Sequence, residues 1–285
     1  MSLELQIILP GFLACLLLTG FLAYLGLHVL AREVIFVDIA LAQIAALGTA
    51  VASLFDVEPH TPTSYLCSLA FTFVGAALFA LTRGLRKHVP QEAFIGITYA
   101  VAAASAILVA KYLAHGDEEI KEILIGSLLT VTLTQVGVTA LIFAALAVLH
   151  VIFRKRFLDL SFEHDRPEQD GWRPMLWDLL FYASFGVVIT SSVQMAGVLL
   201  VFSFLIVPAV FSALFTKSLG RRLVMAWLLG AVVSAFGLWG SFTLDLPTGA
   251  AVVVTFGIAL VLGTLARVVL TLRERRAAAR GGAAL

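Results

Sequence analysis

Long apolar runs with almost no charged side chains dominate this sequence and limit what the chain can fold into. Of its 285 residues, 61% are hydrophobic and 13% are charged, whereas an average soluble domain has about 45–50% apolar and about 25% charged residues. A soluble fold of this composition would lack the polar side chains to cover its surface. The runs instead have the length, about 20 residues, of helices that cross a bilayer. We therefore expect an all-α integral membrane protein, built as a multi-span helical bundle.

The number of spans follows from the length of these runs. The fifth run is too long for one straight helix at about 1.5 Å per residue, and it leaves room for a short half-helix near 119–130. Only a polar stretch at 190–194 separates the sixth run from the seventh. Eight to ten transmembrane helices are therefore expected, with nine favoured. The nine lie at roughly 8–30, 35–55, 63–83, 92–113, 123–153, 174–191, 195–215, 222–242 and 248–270.

Charged side chains in the loops predict the orientation. Basic residues cluster at Arg32 and at 83–87, 154–156, 217–222 and 267–280. The intervening loops are acidic or neutral, at 56–60, 115–119 and 244–247. Because basic loops stay on the cytoplasmic side, nine spans predict an outer N-terminus and a cytoplasmic C-terminus. The net charge of only +1 gives no basic field for a nucleic-acid partner.

The domain organisation is simple. Residues 1–270 are predicted to form a single transmembrane domain that contacts membrane lipids. The remaining residues, 271–285, are basic and low in complexity. We expect them to form a disordered cytoplasmic tail near the lipid headgroups.

Two polar side chains inside the second span are the first functional candidates. A carboxylate within a membrane segment, such as Asp38, is costly and indicates function. The alternative places Asp38 at the headgroups, paired with Arg32. Gln43 lies deeper and could simply bond a neighbouring helix. Five residues turn a regular helix by about 500°, so the two side chains diverge by about 140° and cannot bind one ion unless the helix is broken or lines a wide cavity.

Two outer loops combine carboxylates with histidines. Such mixed ligands suit divalent first-row metals, although neither loop has a zinc-specific spacing. The alternative to a metal site is that these loops form an outer mouth of the protein that only attracts cations or contacts a docking protein. The residues are Asp56, Glu58, His60, His115, Asp117, Glu118 and Glu119.

The longest polar interruption lies at 154–174. Its first half is predicted to form a short helix that ends at Pro167 and Gly171. Such a helix could contact a cytoplasmic motor, and a plain solvated loop is the equal alternative. The sequence contains no GxxxxGK[ST] phosphate-binding loop. The chain therefore carries no ATPase motif of its own. If it is the subunit of an active transporter, and not an enzyme, its energy must come from a partner or from an ion gradient.

Three stretches resemble the membrane permeases of ATP-binding-cassette (ABC) importers for divalent metals such as zinc, manganese and iron. They are REVIFVDIALAQIAALGTAVA at 32–52, QEAFIGITYAVAAASAILV at 91–109, and the stretch from about 193 to 254. The last is the strongest, and in it Pro208 is predicted to break an apolar span. The resemblance covers about 30–270.

The resemblance implies a fold and a set of partners. The fold is that of an ABC importer permease in the inner membrane of a prokaryote, forming a homodimer or pseudo-dimer with the translocation path between its subunits. Two cytoplasmic ATPase subunits would bind the ATP, and an extracytoplasmic protein would deliver the metal. No permanently bound cofactor is implied, because the divalent metal ion is the cargo.

The same resemblance assigns roles to residues. Asp38 matches the family's membrane aspartate near the metal path. The loop 154–174 would contain the coupling helix that the ATPase grips. Its residues are Asp159, Leu160, Ser161, Phe162, Glu163 and His164.

One departure from the family pattern concerns the cargo. This chain has Ala42 and Gln43 where the family commonly has Ser-His, and an amide is a poor transition-metal ligand compared with imidazole. The alternatives are therefore the same fold carrying a metal chelate or another small solute, or a gradient-driven secondary transporter. A non-transporting membrane scaffold is a further alternative, which the likeness around Pro208 disfavours.

Overall fold

The computed structural model describes residues 3–59, 61–85, 88–113, 126, 128, 130–162 and 172–282. In this part of the chain the regular structure is helical: ten α-helices and one 3-10 turn, Arg83–Leu85. The helices are α1 Leu3–Ala31, α2 Val37–Ser53, α3 Pro62–Thr82, α4 Gln91–Ala110, α5 Leu133–Ile152, α6 Arg154–Phe162, α7 Trp172–Ala196, α8 Val198–Phe215, α9 Leu219–Leu244 and α10 Thr248–Gly282. The predicted all-helical fold is confirmed.

Eight of these helices are long and apolar enough to cross a membrane. The shorter apolar helix α2, with 17 residues, reaches about 25 Å at about 1.5 Å per residue. With α2 the described residues hold a helix for each of the nine predicted spans. The half-helix predicted near 119–130 falls largely outside the described residues. Helix α5 begins with a capping box, in which the side chains of Thr132 and Gln135 bond each other's backbone.

Neighbouring spans run in opposite directions, which gives the bundle two distinct ends. Along α3 and α7, Tyr65 Oη lies 2.9 Å from Ser191 Oγ, and Arg83 pairs with Asp178 at the far end of the same helices. The C-termini of α1 and α3, the helix α6 and the first turns of α7 meet at one end, which we call the basic end. The turns that contain Asp56 and Asp245 lie at the opposite end, which we call the acidic end.

The boundary between α7 and α8 differs from the prediction. The polar residues at 190–194 lie inside α7, because their hydroxyls bond helix carbonyls or a neighbouring helix: Ser192 Oγ donates to Val188 O at 2.7 Å, and Thr190 Oγ1 lies 3.0 Å from Thr72 Oγ1. The chain turns instead at Gly197, where φ is +76°, a backbone conformation that glycine adopts readily.

Pro208 does not end its helix. The helix α8 runs from Val198 to Phe215 with Pro208 buried inside it, so the predicted break is wrong. A proline removes one backbone bond from a helix interior, and neighbouring helices can hold such a helix together in a membrane bundle. At the C-terminus, α10 continues to Gly282 through the tail for which the sequence predicts disorder.

Large aromatic side chains fill the core near the basic end. Phe181, Tyr182 and Phe185 of α7 are fully buried and contact one another along the helix. Phe79 of α3 and Phe157 of α6 pack against this row from two sides. The row therefore holds α3, α6 and α7 in fixed relative positions beneath the polar groups described next.

Candidate functional site

A buried ionic network lies at the basic end and centres on Asp178 of α7. Arg32 Nη1, from the residue that follows α1, donates to Asp178 Oδ1 at 2.9 Å, and both side chains are only 4% exposed. Arg83 Nη1, in the 3-10 turn after α3, pairs with the other carboxylate oxygen. Burying charges is tolerated when they are paired and hydrogen-bonded. One carboxylate therefore ties together the ends of α1, α3 and α7.

The short helix α6 joins this network through Ser161. Arg32 Nε donates to Ser161 Oγ at 2.8 Å, and His28 Nδ1 of α1 lies 2.8 Å from the same oxygen. Ser161 is 2% exposed. This residue was predicted to contact an ATPase, but its side chain faces into the bundle.

The other predicted coupling residues divide into two groups. Asp159, Leu160 and Phe162 are half-buried on α6, and the Phe162 ring contacts His28 at a centroid distance of 5.4 Å. Glu163 and His164 lie outside the described residues. The helix predicted for the first half of the 154–174 segment is thus present, over Arg154–Phe162.

A second histidine extends the polar groups toward the bundle centre. His150 Nε2 lies 2.9 Å from Ser184 Oγ, and its Nδ1 lies 3.2 Å from Tyr24 Oη. The His150 ring stacks on Phe157 at 4.5 Å. The Arg32 guanidinium lies 3.8 Å above the Phe181 ring, a cation–π contact that partly replaces its lost hydration.

Asp38 lies in the first turn of α2 and is 2% exposed. Its Oδ1 is buried without a hydrogen-bond partner among the described residues. The alternative in which Asp38 pairs with Arg32 is wrong, since Arg32 pairs with Asp178. An unpaired buried polar atom is costly. Binding of a cation or a proton would therefore stabilise Asp38 more than any other side chain of α2.

Glu92 of α4 reaches the start of α2, the helix that carries Asp38. Its Oε1 accepts a hydrogen bond from Phe36 N at 3.1 Å, two residues before Asp38. Its Oε2 is buried without a partner in the described part of the chain. The first turns of α2 and α4 therefore place two carboxyl groups together near the basic end.

Gln43 is 8% exposed on the same unbroken helix as Asp38. The two side chains consequently point to different faces, as the spacing predicts. Within the described residues no group of three or more His, Cys, Asp and Glu side chains could hold a metal ion. One described chain therefore offers Asp38 and Glu92 as an acidic pair and not a complete metal centre.

Only part of the predicted outer mouth can be located. Asp56 and Glu58 are exposed at the acidic end, where Asp56 adopts a left-handed conformation with φ of +58°. The other predicted residues of this mouth lie outside the described residues: His60, His115, Asp117, Glu118 and Glu119.

The sequence analysis missed the residues that hold the basic end together. Asp178 lies inside a predicted span, so the rule that singled out Asp38, an acidic side chain within an apolar run, also applied to Asp178. Arg83 was used only to orient the chain. Pairing between such distant positions, 95 residues apart for Arg83 and Asp178, leaves no local signal in one sequence.

The bundle of long apolar helices, with a buried ionic network and the carboxyl groups of Asp38 and Glu92 near its basic end, defines a multi-span membrane protein. Comparison with known families then gives the identity: the ABC 3 transport family matches residues 4–267. The chain belongs to this family of ABC transporter membrane proteins.

Curated relatives agree with this assignment. The chain is 28% identical over 222 residues, 75% of its length and 78% of the relative, to the manganese transport system membrane protein MntC of Listeria monocytogenes. It is 26% identical over 206 residues, 70% of its length and 69% of the relative, to the chelated iron transport system membrane protein YfeC of Yersinia pestis.

A solved structure shares the fold. It is PsaBC from Streptococcus pneumoniae in complex with Fab, which superposes with a TM-score of 0.74 at 20% sequence identity. The match covers 90% of this chain and 91% of that one. The fold of an ABC importer permease, predicted from the resemblance, is confirmed.

Proposed function

We propose that this chain is the permease subunit of an ABC importer that moves divalent metal ions, namely zinc, manganese or iron, across the cytoplasmic membrane of a prokaryote. The observation that carries the proposal is Asp38: a 2% exposed carboxyl group with an oxygen that has no hydrogen-bond partner among the described residues, on a helix whose start is bonded by the acidic Glu92. Oxygen ligands of this kind bind manganese and other hard divalent ions. The relatives MntC, named for manganese transport, and YfeC, named for chelated iron transport, support the same cargo class.

A metal chelate is the second candidate cargo. Gln43 stands where the resemblance expects an imidazole, and an amide binds transition metals weakly. The relative from Yersinia pestis is named for chelated iron. A chelate brings most of its own ligands, so it needs fewer from the protein than a bare ion does.

The partners follow from the two ends of the bundle. The exposed side chains of Arg154, Lys155 and Arg156 on α6 would face the cytoplasm, because basic loops stay inside. Cytoplasmic ATPase subunits would bind ATP and dock at this basic end. An extracytoplasmic metal-binding protein would deliver the cargo at the acidic end, near Asp56 and Glu58. This orientation places the N-terminus outside and the C-terminus in the cytoplasm, and a second copy of the chain would complete the path.

Replacing Asp38 with asparagine tests the metal assignment, because it keeps the shape of the side chain and removes its charge. We expect uptake to fall by roughly 100-fold or more, since loss of a group that only supports a metal ligand already costs about 10–100-fold. The measurement is uptake of radioactive manganese, zinc and iron into proteoliposomes that contain the chain, its ATPase and its binding protein. Glu274→Gln, which changes an exposed carboxylate near the C-terminus, is the control and should leave uptake unchanged.

Two results would count against the proposal. Normal metal uptake by the Asp38→Asn variant would remove Asp38 from the path. Wild-type vesicles that take up none of the three metals would exclude metal as cargo, and the chelate is then tested in the same vesicles. Uptake that follows a proton gradient and needs no ATP would instead indicate a secondary transporter.

A further inference from the structure

The short helix α6 is fixed to the bundle by one face only. Phe157 and Ser161, four residues apart, are buried and lie on the same side of the helix. Arg154, Lys155 and Arg156 are exposed. The helix follows α5 after a single residue, Phe153. It therefore lies at the basic end with a charged outer surface and an inner surface formed by Phe157 and Ser161, beside which the half-buried Phe162 ring contacts His28.

The inner surface makes two kinds of contact. Phe157 packs apolar surface against His150 and Phe181, at centroid distances of 4.5 Å and 5.8 Å. Ser161 makes the polar contact, since its hydroxyl is within 2.8 Å of both Arg32 and His28. Apolar packing sets how closely α6 lies on the bundle but is not directional, whereas hydrogen bonds to a buried charged group are directional and strong. Ser161 is thus the position at which α6 is held in a fixed orientation.

Arg32 connects this hydroxyl to the spans. The guanidinium is planar, with donors in a rigid fork: its Nε bonds Ser161 while its Nη1 bonds Asp178. A displacement of α6 must therefore rotate Arg32 or break one of these bonds. Breaking a bond leaves a buried charged donor unsatisfied, which is costly.

The contacts continue from Asp178 to the candidate cargo site. Tyr182, one turn further along α7, accepts a hydrogen bond from Gln91 Nε2 of α4 at 3.1 Å. The next residue, Glu92, accepts the hydrogen bond from Phe36 N at the start of α2. Asp38 lies two residues beyond Phe36. Hydrogen bonds thus connect α6, α1, α7, α4 and the start of α2 in turn. Short lengths of backbone, from Asp178 to Tyr182, from Gln91 to Glu92 and from Phe36 to Asp38, complete the connection to Asp38.

We propose that Ser161 and Arg32 form a joint that transmits movement of α6 to α1 and α7, and so to the start of α2. Both are positioning residues: they act through other groups and contact neither the cargo nor the ATPase. The proposal rests on the proposed function, in which an ATPase partner displaces α6 by its exposed surface. It changes the role of Ser161 from a contact with the ATPase to an internal connection.

Ser161→Ala tests the joint with the smallest possible change, because it removes only the hydroxyl. The matched control is Ser212→Ala on α8, which also removes a buried hydroxyl, one whose single bond among the described residues is to Ala209 O of its own helix. Each variant is reconstituted with the ATPase and the binding protein in lipid vesicles. The quantity measured is the number of metal ions taken up per ATP hydrolysed. Ser161→Ala should lower this ratio about tenfold, the effect expected when bonds to a charged group are lost, and Ser212→Ala should not change it.

A second measurement tests whether Ser161 holds α6 in place, and it does not require a transported cargo. Spin labels are placed at two exposed positions, Lys155 on α6 and Arg221 on α9, after both cysteines are replaced by serine. The labelled chain is reconstituted in lipid vesicles without the ATPase, which would otherwise cover Lys155, and electron paramagnetic resonance gives the distribution of distances between the labels. We expect Ser161→Ala to broaden this distribution and Ser212→Ala to leave it as in the wild type.

The outcomes separate this inference from the proposed function. A reconstituted Ser161→Ala chain with a wild-type distance distribution overturns the joint, whatever the chain transports. A broadened distribution with an unchanged ratio of metal to ATP also overturns it, because α6 is then loose without a loss of coupling. Wild-type vesicles that take up no metal, combined with a broadened distribution in Ser161→Ala, overturn the metal assignment and support the joint.

Discussion

Asp178→Ala is expected to leave little or no folded protein. The substitution removes the only carboxylate that Arg32 contacts among the described residues and leaves its 4% exposed guanidinium without a counter-charge. Breaking a buried ion pair by removing one partner costs about 3–5 kcal/mol, and the free energy of unfolding of a typical domain is only about 5–15 kcal/mol. The measurement is the yield of monodisperse protein in detergent together with its melting temperature.

An exposed ion pair of the same chemistry is the control. Arg267 and Glu274 approach to 3.8 Å with side chains 40% and 67% exposed, and exposed pairs contribute about 0–1 kcal/mol. Glu274→Ala should therefore melt close to the wild type. If Asp178→Ala melts within a degree or two of Glu274→Ala, the network at the basic end does not stabilise the fold.

A triple variant separates the effect of the charges in the network from the effect of the space that its side chains fill. Replacing Arg32 and Arg83 with methionine and Asp178 with leucine removes every charge of the network while keeping most of the buried volume. Apolar replacement of a whole buried ion pair is often neutral or stabilising. We expect the triple variant to fold better than Asp178→Ala alone. Because the planar fork of Arg32 is lost with its charge, the triple variant should still fail to couple ATP hydrolysis to uptake.

The fold could be predicted largely because few backbone structures are stable inside a lipid bilayer. A chain in hydrocarbon must satisfy its backbone bonds within each span, so apolar length alone indicated the helices that became α1 to α5 and α7 to α10. Apart from the break predicted at Pro208, the error fell where side-chain polarity was taken as a sign of a helix end. Thr190 and Ser192 look like loop residues, but hydroxyls that bond helix carbonyls are tolerated inside a span.

The candidate site was predictable only in part, for a related reason. Asp38 could be recognised because the free-energy cost of a carboxylate in a membrane span can be read from that one span. The partners of Arg32 could not, because nothing local distinguishes Asp178 from Asp38 as the acid that reaches it. The buried side of Ser161 follows from how α6 packs on α1, and that packing depends on the shapes of several aromatic side chains.

Gly26→Ala is the other substitution with a large expected effect, although it adds a single methyl group. Gly26 lies where α1 meets α8, and a Cβ atom there would stand 2.0 Å from the carbonyl oxygen of Leu205 and 2.9 Å from its carbonyl carbon. Those atoms belong to the backbone of α8, so no side-chain rotation can relieve the clash. Small residues at such crossings allow close helix contact in lipid. The two helices would have to separate.

The expected destabilisation of Gly26→Ala lies at or above the upper end of the about 1–3 kcal/mol that overpacking usually costs. Gly20→Ala on the same helix is the matched control, because no atom lies within 4 Å of its added Cβ and alanine favours a helix over glycine by about 1 kcal/mol. Thermal unfolding in one detergent should therefore rank Gly20→Ala at or above the wild type and Gly26→Ala far below it. Equal melting temperatures for the two variants would mean that α1 and α8 do not approach as closely as the Gly26 contact requires. The crossing also lies two residues from His28, so separation of these helices would disturb the hydrogen bond between His28 and Ser161 and loosen α6 from the same end of the bundle.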